Sequence, residues 1–369
     1  MAALYILGHI YPEKTGGMEI FNYYFLKQQS ENSQDVVYYL SSCSIDNLRS
    51  VNIPMSIKKP IRLFYGIQLF RTIFRLRKRI RYVYLSYAPV SWVIPFVISV
   101  ACSIFNVPYI ITIHSGESPM RRFMYPYRIF FKKAYAVVGV SETICAEYGK
   151  FFRIKKLLFI PPLIPFENHF GKKQEIREQL GIAPDENMLL FVGALSDIKN
   201  PGTVIRAFKQ LGHELIQSNK LKLVFAGNGE LMDTLKEEVV VNKLEKYVSF
   251  VGTISRDQMP LYYVAADFYI TASDYEGTSI ALLEAMFHRL PIIAADAPGL
   301  NRMIKHNCNG LLFKPKDENA LANTINRLLG NPEFAKLLGQ QAGRDYLEKY
   351  SYQDMINDYE TLFSAAKIL

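Results

Sequence analysis

Short runs of uninterrupted apolar residues recur along this chain at a regular interval. In the second half they read "MLLFVG" (188–193), "LKLVFAG" (221–227), "YVSFVG" (247–252), "DFYITAS" (267–273) and "PIIAAD" (291–296), separated by helical patterns of about ten residues. A strand that is apolar on both faces must be covered on both faces, and strands that alternate with helices form a parallel sheet. The first half repeats the scheme with "ALYILG", "DVVYYLS", "YVYLS", "YIITIH" and "AYAVVGVS". The expected fold class is therefore α/β, two doubly wound, Rossmann-like domains facing a cleft. A chain of 369 residues has room for two such cores at roughly 150 residues each. The turn-rich "IPPLIPFENHFGKK" (160–173) separates a domain over 1–165 from one over 166–349, and a C-terminal helix over about 350–369 is expected to return to the first.

The formal net charge of +9 is unevenly spread. Residues 1–165 carry 21 Lys and Arg against 8 Asp and Glu, whereas the remainder carries 22 against 26. Such an imbalance points the first half toward an anionic surface, either nucleic acid or the inner leaflet of a membrane. Between Lys58 and Arg81 stand nine basic residues and no acid, interleaved with Ile61, Leu63, Phe64, Ile67, Leu69, Phe70, Ile73, Phe74 and Leu76. "MRRFMYPYRIFFKK" (120–133) has the same character, and both stretches suit an anionic membrane surface. The aromatic residues form no RNA-stacking motif and no helix-turn-helix text appears, so nucleic acid is not the expected partner. The charge-free stretch from Val83 to Ile113 is long enough to span a bilayer, but Pro89, Pro95 and Pro108 divide it into strand, helix and strand. Four scattered cysteines without metal-ligand spacing read as reduced thiols, and with no signal peptide at the start they give a cytoplasmic expectation.

In a doubly wound sheet the ligand lies beyond the carboxyl ends of the strands. There stand "HIYPEKTGGMEIF", "HSGE", "ALSDIKNP" and "SDYEGTS". In "SDYEGTSIALLEA" (273–285), Gly277 permits a tight turn, Thr278 or Ser279 caps a helix, and "IALLEAMF" supplies its apolar face. The amides of Thr278, Ser279 and Ile280 then face the cleft as a phosphate site. Glu284 lies about 7 Å further along the axis, the reach from a diphosphate to a ribose, and Glu276 stands on the other side of the turn. Carboxylates accept two hydroxyls at once, so the layout suits a nucleotide-sugar.

The same text resembles the retaining GT-B glycosyltransferases of glycosyltransferase family 4. "EGTSIALLE" is similar to that family's two-glutamate element, and "AMFHRLPIIAAD" to the text that follows it. "TGGMEIF", "TIHSGE", "VVGVSE", "FVGALSDIKNP", "LVFAGNGE" and "FVGTIS" extend the likeness over nearly the whole chain. The resemblance implies that Glu276 contacts the donor sugar, Glu284 the ribose hydroxyls and Lys199 the diphosphate. By residue type, Asn200 is the cap and Pro201 the first position of the helix that follows Lys199. It places His114 beside the reacting sugar and lets Gly16 and Gly17 bring the backbone near the phosphates. Gly193, Gly227, Thr253 and Ile254 would border the nucleotide through main-chain atoms.

Four positions depart from the family pattern: Ala194 where Arg is common, "IPPLIP" after the linker strand, Arg302 where Glu is frequent, and Arg289 where Gly is usual. The implied reaction keeps the anomeric configuration without a metal, and the chain has no Asp-x-Asp to hold one. The implied donor is a UDP- or GDP-sugar, acting as substrate with no cofactor. The implied acceptor is a lipid-linked or cell-envelope glycan met at the inner face of the plasma membrane. A glycosidase also uses two carboxylates but has no diphosphate to hold. A nucleotide-sugar 2-epimerase of the same build and a non-catalytic envelope-assembly protein stay open as alternatives.

Overall fold

A computed structural model describes residues 2–8, 17–32, 37–41, 50–54, 62–87, 93–114, 124–152, 154–166 and 171–366. The chain divides into two compact units, Met1–Pro165 with Tyr352–Leu369, and Phe166–Ser351.

The first unit contains β1 (Ala2–Gly8), α1 (Gly17–Asn32), β2 (Val37–Ser41), β3 (Ser50–Pro54), α2 (Arg62–Leu76) and β4 (Ile80–Tyr87). It continues with α3 (Val93–Phe105), β5 (Tyr109–Ile113), α4 (Met124–Lys133), β6 (Ala136–Gly139), α5 (Glu142–Phe151) and β7 (Leu157–Phe159). Among the described residues seven parallel strands form one sheet in the order β3-β2-β1-β4-β5-β6-β7. Every residue of β5 is buried, which is why it reads as an unbroken apolar run. The charge-free stretch is strand, helix and strand: the end of β4, then α3, then β5. Ile98, Ala101 and Cys102 of α3 are buried, while Phe96 and Ile104 are exposed. No helix among the described residues is long and apolar enough to cross a membrane.

The second unit contains α6 (Lys173–Gln179), β8 (Asn187–Val192), α7 (Pro201–Gln210), α8 (His213–Ser218), β9 (Leu221–Ala226), α9 (Met232–Val241), β10 (Val248–Gly252) and α10 (Met259–Ala265). Then come β11 (Phe268–Thr271), α11 (Ile280–Phe287), β12 (Ile292–Ala295), α12 (Leu300–Met303), β13 (Leu311–Phe313), α13 (Glu318–Leu329) and α14 (Pro332–Lys349). Six parallel strands run in the order β10-β9-β8-β11-β12-β13, with strand order reversing between β8 and β11. Tyr350 stacks back on Tyr346, so this unit reaches Ser351, two residues past the boundary expected from sequence.

The apolar-run reading leaves out three strands. β3 is "SVNIP", with two polar residues among five, and β7 and β13 are three residues each. Elements so short carry too little periodicity to stand out, and they form by completing a sheet edge.

The last helix, α15 (Tyr352–Ala366), belongs to the first unit. Its Tyr359 ring meets Phe25 at 4.7 Å between centroids, and Phe363 stacks on Tyr82 at 4.7 Å. The Tyr359 hydroxyl lies 2.9 Å from Thr112 Oγ1, which in turn accepts from the Tyr84 hydroxyl at 2.9 Å. Buried hydroxyls thus satisfy one another between strand and helix, as burial requires.

Candidate active site

Two loops leave the second sheet side by side, because β8 and β11 are neighbours at the point where strand order reverses. After β8 the chain passes Gly193 and Ala194, makes a single 3-10 turn at Asp197–Lys199 and enters α7. Pro201 takes the first helical position. Asn200 occupies the cap position with φ +52°, but its side chain does not cap an amide as the sequence suggests; Oδ1 accepts from Thr203 Oγ1 at 3.0 Å. Caps that bond an amide ordinarily have extended backbone, and the left-handed conformation of Asn200 departs from it.

Main-chain hydrogen bonds sew this loop to its neighbours. Gly193 N–H donates to Ala226 O at 3.0 Å, Leu195 N–H to Asn228 O at 3.0 Å, and Gly227 N–H to Gly252 O at 2.8 Å. A Cβ on Gly227 would fall 1.9 Å from Gly193 O, so only glycine lets the loops after β8 and β9 touch. From the other side, Asp274 N–H donates to Ile198 O at 2.9 Å, which ties the residue before Lys199 to the loop after β11. Thr253 and Ile254 follow Gly252 between β10 and α10, Thr253 exposed and Ile254 partly so.

Lys199 is thereby brought onto Glu276, and the two form an ion pair. The Ser273 hydroxyl donates to the same carboxylate oxygen, Oε1, at 2.8 Å. Glu276 is 9% exposed, and its backbone is clamped as well as its side chain. Its N–H donates to Pro298 O at 3.0 Å, and a Cβ on Gly299, where φ is +91°, would lie 2.0 Å from Glu276 O.

Gly277, Thr278 and Ser279 then turn the chain into α11. Ser279 is the N-cap, accepting from Leu282 N–H at 3.3 Å, and Ile280 is the first helical residue. The amides of the first turn have no carbonyl behind them in the helix, and the helix dipole adds positive potential there. Glu284 lies in the second turn, 5% exposed. It pairs with Arg256 through Oε1 and accepts from the Tyr263 hydroxyl at 2.8 Å through Oε2. Burial pushes its pKa up, while Arg256 and Tyr263 pull the other way.

In the first unit His114 directly follows β5. Its N–H donates to Tyr87 O at 3.0 Å, Nε2 lies 3.0 Å from Ser86 Oγ, and the ring packs on Phe21 at 5.3 Å between centroids. Loss of hydration pulls the imidazole pKa down to about 3, so it is neutral near pH 7. Gly17 opens α1 and is exposed, whereas Gly16 lies outside the described residues.

Within the second unit the structure therefore brings together Lys199, Glu276, the Gly277–Ile280 turn and Glu284, with Gly193 and Gly227 supporting the loop that carries Lys199. His114 and Gly17 belong to the first unit. Sequence reading passed over Ser273, Arg256, Tyr263 and Gly299. Ser273 stands at the head of "SDYEGTS", three residues before the glutamate that it bonds. No local pattern gives the other three a role, and only the folded sheet shows what they face.

Comparison with known proteins agrees with this architecture. Residues 172–345 match the family Glycosyl transferases group 1, a span lying wholly within the second unit. An uncharacterized glycosyltransferase of Methanocaldococcus jannaschii is 27% identical over 292 residues, 75% of this chain and 74% of its own. An alpha-1,4-N-acetyl-D-galactosaminyltransferase of Campylobacter jejuni, whose name specifies a glycan on PP-undecaprenol, is 30% identical over 246 residues, 64% of this chain and 63% of its own. Among solved structures, HepE of Anabaena in complex with UDP-glucose has a TM-score of 0.81 at 18% identity, covering 99% of this chain and 100% of that one. At that identity the likeness speaks for the fold, which is GT-B. Family match, relatives and fold together support a glycosyltransferase.

Proposed function

We propose that the chain is a retaining, metal-independent glycosyltransferase of family 4 that moves a sugar from a UDP- or GDP-sugar to a lipid-linked or cell-envelope glycan. The observation that carries this reading is the pair of buried carboxylates, Glu276 and Glu284, on either side of the turn that opens α11, one held by a lysine and the other by an arginine. In this reading the diphosphate rests on the first-turn amides of α11. Lys199 exchanges Glu276 for the phosphate as negative charge develops on the leaving group. Glu276 is then released to accept from sugar hydroxyls, and Glu284 accepts from the ribose.

The C–O bond to the diphosphate breaks while the acceptor oxygen bonds to the same face of the anomeric carbon. The departing phosphate oxygen takes the acceptor's proton, so charge and atoms balance and the configuration is kept. Positive charge comes from Lys199 and the helix, which is why this reaction calls for neither a divalent metal nor a cofactor beyond the donor.

A membrane-borne acceptor fits the outer helices of the first unit. α2 exposes Ile67 and Phe74 beside Arg71, Arg75 and Lys78, and α4 exposes Ile129 beside Arg128, Lys132 and Lys133. Apolar side chains among cations suit the headgroup region of an anionic inner leaflet.

A thermal-shift screen of nucleotides and nucleotide-sugars tests the reading. A donor at 100 times its dissociation constant stabilises by about 2.7 kcal/mol, and Lys199→Ala is expected to lose most of that shift. Wild-type chain unmoved by every nucleotide would remove the basis of the proposal. Donor consumed without any acceptor, with the released sugar epimerised, would point to a 2-epimerase instead.

A further inference from the structure

A carboxylate as buried as Glu284 keeps its charge only where the protein supplies a counter-charge. That charge comes from the loop between β10 and α10, where an Nη1–H of Arg256 donates to Oε1. The Tyr263 hydroxyl of α10 donates to Oε2 at 2.8 Å and also reaches Ala281 O at 3.1 Å. Arg256 is itself seated: its guanidinium carbon lies 5.7 Å from the centroid of Phe166, and that ring packs on Phe287 at 5.5 Å and Tyr346 at 5.7 Å. The other titratable groups around Glu284 are Tyr269 of β11, Tyr346 of α14, Glu276 across the turn, and His288, whose ring stacks on Tyr263 at 5.4 Å. Among these described neighbours Arg256 is the one permanent cation. One hydrogen bond to each oxygen leaves each a further acceptor position.

We propose that Arg256 is a positioning residue for donor recognition, holding the Glu284 carboxylate ionised and turned so that its remaining acceptor positions meet the ribose hydroxyls. The proposal rests on the reading of Glu284 as the ribose acceptor and adds to it the group that makes a buried acceptor usable. Without Arg256, burial acts on Glu284 with less opposition and its pKa rises. Ribose hydroxyls need the ionised form, so nucleotide binding is then retained above the raised pKa and lost as the pH falls through it.

Isothermal titration of UDP and of GDP into the full chain between about pH 6 and pH 8 tests this, with each variant's dissociation constant divided by the wild-type value so that the nucleotide's own ionisation cancels. Arg256→Ala is expected to weaken the bound nucleotide about tenfold or more at the acid end, with the loss shrinking as the pH rises. Arg256→Lys is expected to restore most of the affinity. Arg256→Gln, which keeps a hydrogen-bond donor without the charge, serves where the alanine variant folds poorly and is expected to show the same pH-dependent loss. In a Glu284→Gln background neither change costs anything further. A loss equal at every pH, or equal with and without the Glu284 charge, overturns the role of Arg256 while leaving the nucleotide reading intact. A wild-type chain that binds neither UDP nor GDP overturns both.

Discussion

Lys199 and Glu276 are joined before any donor arrives, and this sets what either can do. In the proposed reading, an anion entering at α11 competes with a carboxylate for the ammonium group, and Ala194, exposed where the family resemblance leads one to expect an arginine, brings no second charge. Glu276→Gln keeps the shape of the side chain and its bond to Ser273 but gives up the ion pair. Its affinity for UDP or GDP is expected to rise about threefold to tenfold, for an ion pair of about 1 kcal/mol, while sugar transfer falls on the order of a hundredfold. Calorimetry paired with a transfer assay measures both, and a parallel fall in both would mean that Glu276 orders Lys199 rather than competing for it. The spacing of Glu276 and Glu284 was readable in "EGTSIALLE", since turn and helix geometry fix it within a few residues. Their partners were not readable. Arg256 lies 28 residues from Glu284 and Lys199 lies 77 from Glu276, and only the order of strands brings those positions together.

Elements with a long apolar signal were legible, and those defined by contact were not. β4 and β5 announce themselves because both faces are covered, whereas β3, β7 and β13 exist by adding to an edge. Arg289 shows the same contrast. It sits at φ +56°, a conformation that disfavours a side chain, at the position where the family resemblance leads one to expect glycine. α15 and its return to the first unit were legible, but the rings and hydroxyls of β1, β4, β5 and α1 that seat it were not. Tyr359→Ala empties a fully buried site and is expected to cost about 3 to 5 kcal/mol. Hydrogen exchange should localise the damage, with faster exchange in β4 and β5 and no change in β8 and β11. Uniform acceleration through both sheets would instead mean that the two units unfold as one.

Across the whole molecule the uneven charge is the property that reaches furthest from the site. If the outer helices of the first unit meet an anionic bilayer, the chain should float with liposomes containing anionic lipid and not with neutral ones. Binding should fall as salt screens it, and each of Arg71→Gln, Arg75→Gln and Lys132→Gln should weaken it about fivefold, for about 1 kcal/mol per cation. Flotation indifferent to lipid charge would leave these helices as ordinary sheet cover. The amino-acid order alone determined the alternation of strand and helix, the division into two α/β units and the separation of two glutamates across a Gly-Thr-Ser turn. Each of those follows from backbone periodicity and local chain geometry, which act over a few residues. Only the tertiary structure decided that Lys199 and Arg256 stand on those glutamates, which rings and hydroxyls seat α15, and that Phe96 and Ile104 of the charge-free helix α3 reach the surface. Such pairings depend on which strands lie side by side, and side chains remote in sequence meet only after that order is set.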